Sequence, residues 1–218
     1  MTDKPDLIIF DNDGVLVDSE RLTNQIFADA VTGAGLPTSF EDAVTRYMGR
    51  RTTDCVADIE EQLGTTLPHD FVHLYEQRCA EVLRAQLTTV DGVVELLDAL
   101  DNARIPYCIA SSGTPEEIEL RLTTTGLADR FGDRVYSGSM VAKGKPAPDL
   151  FEYAADRMGR PIESSVVIED SPAGVTGART AGAHVIGHAA LASPERLIHA
   201  GAHEVVKDMR DIRALLAL

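Results

Sequence analysis

An α/β fold, a parallel sheet interrupted by one helical insertion, is predicted by three features of this 218-residue chain. A short apolar run, Leu7-Ile8-Ile9-Phe10, ends in Asp11-Asn12-Asp13-Gly14-Val15. From about Ser19 to Arg84 the apolar residues recur only at helical spacing. Everything after Val90-Asp91-Gly92 alternates helix with strand. Such alternation is the signature of βαβ units, whose strands lie parallel in one sheet. The first strand therefore joins the sheet made by the later ones, which assigns residues 1–16 and 87–218 to the core and residues 17–86 to an inserted helical cap.

Within the insertion, Leu22, Ile26 and Ala30, then Val56, Ile59 and Leu63, then Phe71, Leu74, Tyr75 and Val82 each mark one face of a helix. Gly33-Ala34-Gly35, Met48-Gly49 and the stretch from Gly64 to Pro68 supply the breaks. Beyond Gly92, the residues Val93, Leu96, Leu97 and Leu100 predict a helix that leads into a strand over Ile105 to Ala110. Further strands are predicted near Val135-Tyr136, Val166 to Ile168, Val185-Ile186 and Glu204-Val205-Val206. Thr114-Pro115-Glu116-Glu117 reads as a capping box with proline at the first helical position; Pro148 and Ser171-Pro172 open two more helices. Gly126, Gly159 and Gly182 end them, because glycine takes the left-handed backbone a helix terminus asks for.

Composition narrows the function. A hydrophobic share of 44% is enough for a substantial core with an insert. The formal net charge of -15 makes a nucleic-acid backbone or an anionic membrane surface a poor partner. A small anionic substrate stays compatible, because a divalent ion and a few local cations reverse the field inside a pocket. Cys55, Cys79 and Cys108 form no CxxC pair and leave an odd count, as expected of reduced thiols in a cytosol. The opening Met1 to Asp6 has neither the basic start nor the apolar stretch of a secretory signal, and no run reaches membrane-spanning length. The expectation is a soluble cytoplasmic protein, of oligomeric state left open.

The chemistry lies where apolar runs stop. In an open parallel sheet, ligands bind outside the carboxyl ends of the strands, and there the chain places Asp11 and Asp13, Ser111-Ser112, and Glu169-Asp170. Two carboxylates about 4 Å apart repel by roughly 4 kcal/mol at an effective dielectric of about 20. A cation must offset this, or one group must keep its proton; Mg²⁺ with oxygen ligands does the first and a protonated aspartate does the second. Ser111 and Ser112, next to a helix start, suit phosphoryl oxygens. Lys145, held between Gly144 and Pro146, offers an ammonium to the same centre, whereas Lys143 reads as a surface lysine.

Asp-x-Asp-Gly-Val, a serine after an apolar strand, Lys-Pro-x-Pro-Asp and Glu-Asp-Ser, in this order, resemble the motifs of the haloacid dehalogenase-like hydrolase superfamily, in its branch of beta-phosphoglucomutase-like phosphatases. The resemblance spans essentially the whole chain. It implies a Rossmann-like core with a cap that closes the site, and a Mg²⁺-dependent phosphatase acting on small phosphorylated metabolites. By the same resemblance Asp11 is the nucleophile that forms an aspartyl-phosphate and Asp13 the acid/base. Asp11, the backbone carbonyl of Asp13 and Asp170 bind the metal, Glu169 serves as ligand or outer partner, Ser111 holds the phosphoryl group and Lys145 offsets charge.

Alternatives within and outside the family differ in residues. The dehalogenases need no second aspartate and no metal, so Asp13 and Glu169-Asp170 speak against that reaction. Beta-phosphoglucomutases carry a histidine early in the first cap helix, where Ser19-Glu20-Arg21-Leu22-Thr23-Asn24 has none, which favours hydrolysis over mutase activity. Arg50 and Arg51 follow Gly49 and are candidates for gripping a carboxylate or hydroxyls of the substrate by forked hydrogen bonds. A non-catalytic phosphate sensor on the same fold is the reading from another class; it would fit better if Asp11 or Asp13 were replaced. His199 and His203 have helical spacing but no third ligand nearby, and are read as surface residues.

Overall fold

The computed structural model describes residues 4–48 and 52–218. Among the described residues, six strands, β1 (Leu7–Phe10), β2 (Tyr107–Ser111), β3 (Val135–Ser137), β4 (Ser165–Glu169), β5 (His184–His188) and β6 (Glu204–Val206), form one sheet in the order β3-β2-β1-β4-β5-β6. All neighbouring pairs are parallel. The chain builds outward from β1 through β2 to β3, then returns to the other side of β1 and builds outward again through β6. The order thus reverses at β1, and its carboxyl end is the crevice where such sheets bind ligands.

The chain divides into two compact units, one formed by Met1–Asp18 with Thr88–Leu218, the other by Ser19–Leu87. The first holds the sheet and the helices α5 (Val93–Ala103), α6 (Pro115–Thr124), α7 (Ala128–Phe131), α8 (Asp149–Arg157), α9 (Pro172–Ala181), α10 (Pro194–Ala200) and α11 (Asp211–Leu215). Because both faces of the sheet are covered, β1, β2 and β4 are buried along their whole length and read as unbroken apolar runs rather than alternating ones. Leu7, Ile9, Cys108, Val167 and Val185 pack with Phe151, Val175 and Ala178 from α8 and α9 in one continuous core. On the alternate positions, Phe10, Tyr107 and Phe131 meet edge to face, with centroids 5.3 to 6.4 Å apart.

The second unit contains α1 (Ser19–Gly33), α2 (Phe40–Arg46), α3 (Thr52–Leu63) and α4 (Phe71–Gln86). Its own core gathers Phe27, Val31, Tyr47, Ile59 and Phe71. Ser39 and Asp42 close α2 with a reciprocal capping box. Leu74 departs from the apolar face its spacing suggested: it is 54% exposed, because α4 buries Phe71, Cys79, Val82 and Leu83 instead. Among the described residues no helix is long and apolar enough to cross a membrane.

Helix starts place the polar groups of the sheet unit. Thr114 accepts from the Glu117 N–H while the Glu117 side chain takes the Thr114 N–H, with Pro115 in the first turn of α6. Ser171 caps α9 by accepting from the Gly174 N–H, followed by Pro172. Each cap follows within three residues of a strand end, so the same short loops stop the strand and start the helix.

Candidate active site

Asp11 is the first residue past β1 and Glu169 the last of β4. The pairing of Phe10 with Ile168 sets them level, and the Asp11 N–H donates to the Ile168 carbonyl at 2.9 Å. One oxygen each from Asp11, Glu169 and Asp170 lies within 4.8 Å of the others. Lys145, on the loop between β3 and α8, reaches into this group, its Nζ donating to Asp11 Oδ1 at 2.5 Å and to Glu169 Oε1 at 2.6 Å. The Lys145–Pro146 peptide is cis. The lysine side chain is 5% exposed and Glu169 is fully buried. Lys143, two residues earlier, stands in solvent.

Glu169 has a second set of partners. Its Oε2 accepts from the Ser171 N–H at 2.8 Å and the Ser171 hydroxyl at 2.9 Å. Both of its oxygens are therefore engaged within the protein. The carboxylate lies against the first turn of α9, where a Cβ on Gly174 would come 1.7 Å from Glu169 Oε1. Glycine at that position is what lets the carboxylate occupy its place.

Among the described residues, the Lys145 ammonium pairs with two of the three carboxylates of this cluster. Burial raises the Asp11 carboxyl, Lys145 pulls it down, and the like charges of Glu169 and Asp13 raise it again, leaving it up at about 7. Burial alone would lower the Lys145 ammonium, but Asp11 and Glu169 outweigh it and push it above its ordinary range. The cluster so carries excess negative charge on hard oxygen donors, the donor set that fits Mg²⁺ and not a soft thiophilic metal.

Asp13 is not gathered into that group. Its Oδ1 lies 2.7 Å from Arg121 Nε of α6, with the two side chains 25% and 15% exposed. No hydrogen bond is directed from that buried Nε, so charge rather than an aligned bond holds this contact. Asn12 Nδ2 donates to Asp13 Oδ2 at a long 3.4 Å.

On the β2 side, the pairing of Phe10 with Ile109 brings Ser111 to the neighbouring strand end. Ser111 is buried and its Oγ accepts from the Gly113 N–H at 3.1 Å, while Ser112 is exposed. Ser137 of β3 fastens the turn, its hydroxyl donating to the Gly113 carbonyl at 2.6 Å. Arg50 and Arg51 lie outside the described residues.

The family model of haloacid dehalogenase-like hydrolases matches residues 5–182. The chain belongs to that family. Validoxylamine A 7'-phosphate phosphatase of Streptomyces hygroscopicus subsp. limoneus is 30% identical over 213 residues, covering 94% of this chain and 94% of its own. The phosphorylated carbohydrates phosphatase of Thermotoga maritima is 31% identical over 206 residues, covering 92% of this chain and 93% of its own. A haloacid dehalogenase family hydrolase from Deinococcus radiodurans R1, solved with bound phosphate and sodium, has a TM-score of 0.88 and 32% identity, covering 99% of this chain and 96% of that one. These relatives place the chain in the phosphatase branch of the superfamily.

Four residues beside this hydrolase's site were given no site role by the sequence. Arg121 sits three residues after Ile118 and one before Leu122, both buried, so a cation occupies the inward stripe of α6. Its signal is that break in an apolar pattern. Ser171 and Gly174 are visible as a helix start but not as the partners of Glu169. His188, at the end of β5, is 1% exposed, and its Nδ1–H donates to the Gly14 carbonyl at 2.8 Å, bracing the turn after Asp13. Gly14 has a φ of +73°, a backbone that favours glycine in that turn.

Proposed function

We propose that this phosphatase is Mg²⁺-dependent and hydrolyses small phosphorylated metabolites, sugar phosphates or sugar-acid phosphates, through an aspartyl-phosphate on Asp11. The observation that carries the reading is the buried arrangement at the adjoining ends of β1 and β4, in which Lys145 holds Asp11 and Glu169 while Asp170 completes a cluster with excess negative charge. Phosphatases of phosphorylated carbohydrates and of validoxylamine A 7'-phosphate among the relatives support the substrate class.

Asp11, Asp170 and the backbone carbonyl of Asp13 would hold the metal, which when bound neutralises charge and polarises the phosphoryl oxygens. Glu169, with both oxygens already accepting bonds, orients Lys145 from behind. In the first half-reaction an Asp11 carboxylate oxygen attacks phosphorus, the ester P–O bond breaks, and Asp13 gives a proton to the departing oxygen. In the second, water attacks the phosphorus, Asp13 takes the water's proton, and the bond to Asp11 breaks to release phosphate. Lys145 offsets charge on Asp11 and the transferring group, and Ser111 with the Ser112 N–H receives phosphoryl oxygens. Arg50 and Arg51 are assigned, on sequence grounds, to the rest of the substrate.

A panel of phosphorylated sugars and sugar acids, assayed for phosphate release with Mg²⁺ and then with EDTA, tests this. Release is expected to need the metal, and Asp11→Asn to lower turnover on the order of 10³-fold or more while the fold persists. Metal-independent release, near-normal Asp11→Asn activity, or an isomerised sugar phosphate appearing faster than free phosphate would each overturn the reading.

A further inference from the structure

Arg121 is an unexpected residue for its position. The capping box at Thr114 sets the phase of α6, and that phase turns Ile118 and Leu122 inward at 0% and 4% exposure. Arg121 lies on the same stripe, with 15% of its side chain exposed, where an apolar residue would satisfy the packing. A guanidinium drawn out of solvent needs an anion, and its partner is Asp13 at 2.7 Å. The site already holds three carboxylates within 4.8 Å of one another, so any cation bound there attracts a fourth. Arg121 draws the Asp13 carboxylate the other way, toward the β2–α6 side of the turn. At 2.7 Å the guanidinium restrains the carboxylate on that side by charge.

We propose that Arg121 is a positioning residue. It holds Asp13 apart from the Asp11–Glu169–Asp170 cluster and receives the carboxylate that Asp13 becomes on handing its proton to the leaving oxygen. This rests on the reading of Asp13 as the acid/base. In that step the ester P–O bond breaks, the bond from Asp11 to phosphorus forms, and the Asp13 proton ends on the departing oxygen, so the new negative charge stays on Asp13 beside Arg121. Arg121 touches neither phosphorus nor the leaving group; its effect passes entirely through Asp13.

The dependence on the leaving group tests this. Values of kcat/KM, which report steps up to departure of the leaving group, are compared for phenyl phosphate and 2,4-dinitrophenyl phosphate at saturating Mg²⁺. Phenol ionises near pH 10, so its departure gains from an acid, whereas the far more acidic dinitrophenol leaves unaided. Arg121→Leu is expected to lose about 10- to 100-fold on phenyl phosphate and to stay within about threefold on the dinitrophenyl ester, with Arg121→Lys recovering most of the difference. Equal losses on both esters, or none, would overturn the proposal; thermal melts verify that each variant is folded, and Arg121→Gln replaces the leucine variant if that one is not. Asp13→Asn run alongside separates the two ideas. If it shows no leaving-group split, the acid/base reading fails and the proposal with it; a split in Asp13→Asn without one in Arg121→Leu removes the arginine alone.

Discussion

The two flanks of the β1 carboxyl end are built to different standards. On the β4 flank Lys145, Glu169 and Ser171 bond to one another inside the protein, and Glu169 has no exposed surface. On the β2 flank Ser111 is buried beside an exposed Ser112, and Asp13, a quarter exposed, meets Arg121 without an aligned hydrogen bond. The contrast separates two tasks. Groups that set the charge of the site are desolvated and mutually satisfied, so the loss of one strands the others. On the proposed reading, the groups that meet substrate or move a proton stand on the more exposed flank, so changing them alters rates more than stability.

Lys145→Met breaks the first flank most severely. Removing one member of a buried ion network costs about 3–5 kcal/mol, because the carboxylates left behind lose their counter-charge in a poor solvent. Turnover should fall on the order of 10²–10³-fold as well, the usual scale for deleting a preorganised electrostatic group. Lys143→Met, in solvent two residues away, should stay within about 0.5 kcal/mol of the native protein. Denaturant melts of the two variants beside phosphate-release assays make the comparison, and a Lys145→Met protein as stable as the native one would show that the β4 flank is no fixed frame.

Glycines on the two flanks sharpen the contrast at smaller cost. A Cβ at Gly174 would stand 1.7 Å from Glu169 Oε1, so alanine there must push the carboxylate away from Lys145 and Ser171. Overpacking of this kind costs about 1–3 kcal/mol, despite the better helix propensity of alanine. At Gly113 the nearest atom, Glu117 Oε2, is 3.4 Å away and the N–H to Ser111 is kept, so alanine should shift stability by about 0.5 kcal/mol or less. Thermal melts that ranked Gly113→Ala as the more damaging would reverse the assignment of rigid and adjustable sides.

Much of the fold was legible because burial on both faces leaves β1, β2 and β4 as apolar runs that stop abruptly at Asp11, after Ala110 and at Glu169, and because Thr114 and Ser171 announce the helices that follow. Lys145 was separable from Lys143 by its neighbours Gly144 and Pro146. Arg121 was not legible as a partner of Asp13, since periodicity gives the inward stripe of a helix but not which loop that stripe faces across the sheet. The engagement of both Glu169 oxygens was hidden for a similar reason: an acidic pair at a strand end looks the same whether it faces an ion or caps the next helix. Leu74 misled in the opposite direction, an apolar residue in helical register that α4 leaves in solvent. His188 was missed because the apolar signal of β5 ends at Ile186, two residues before the strand does.

His188 ties the fixed side to the turn after Asp13, and its signature is a pH dependence of stability. Burial holds its imidazole below the ordinary range, against the pull of the Gly14 hydrogen bond and of Asp208 and Asp18. The unfolded chain therefore binds the proton first: the contribution of His188 is fully present above the unfolded value of about 6.5 and is lost as pH falls from there toward the lower folded value. His188→Asn offers a side-chain N–H to the Gly14 carbonyl but cannot titrate. The expected result is that the melting temperature of the native protein drops more than that of His188→Asn between about pH 8 and about pH 5.5, although the variant starts lower. The difference between the two curves isolates this imidazole from every carboxylate they share. Parallel curves would mean that the histidine accepts its proton in place, and that the turn carrying Asp13 is braced by something other than a neutral ring.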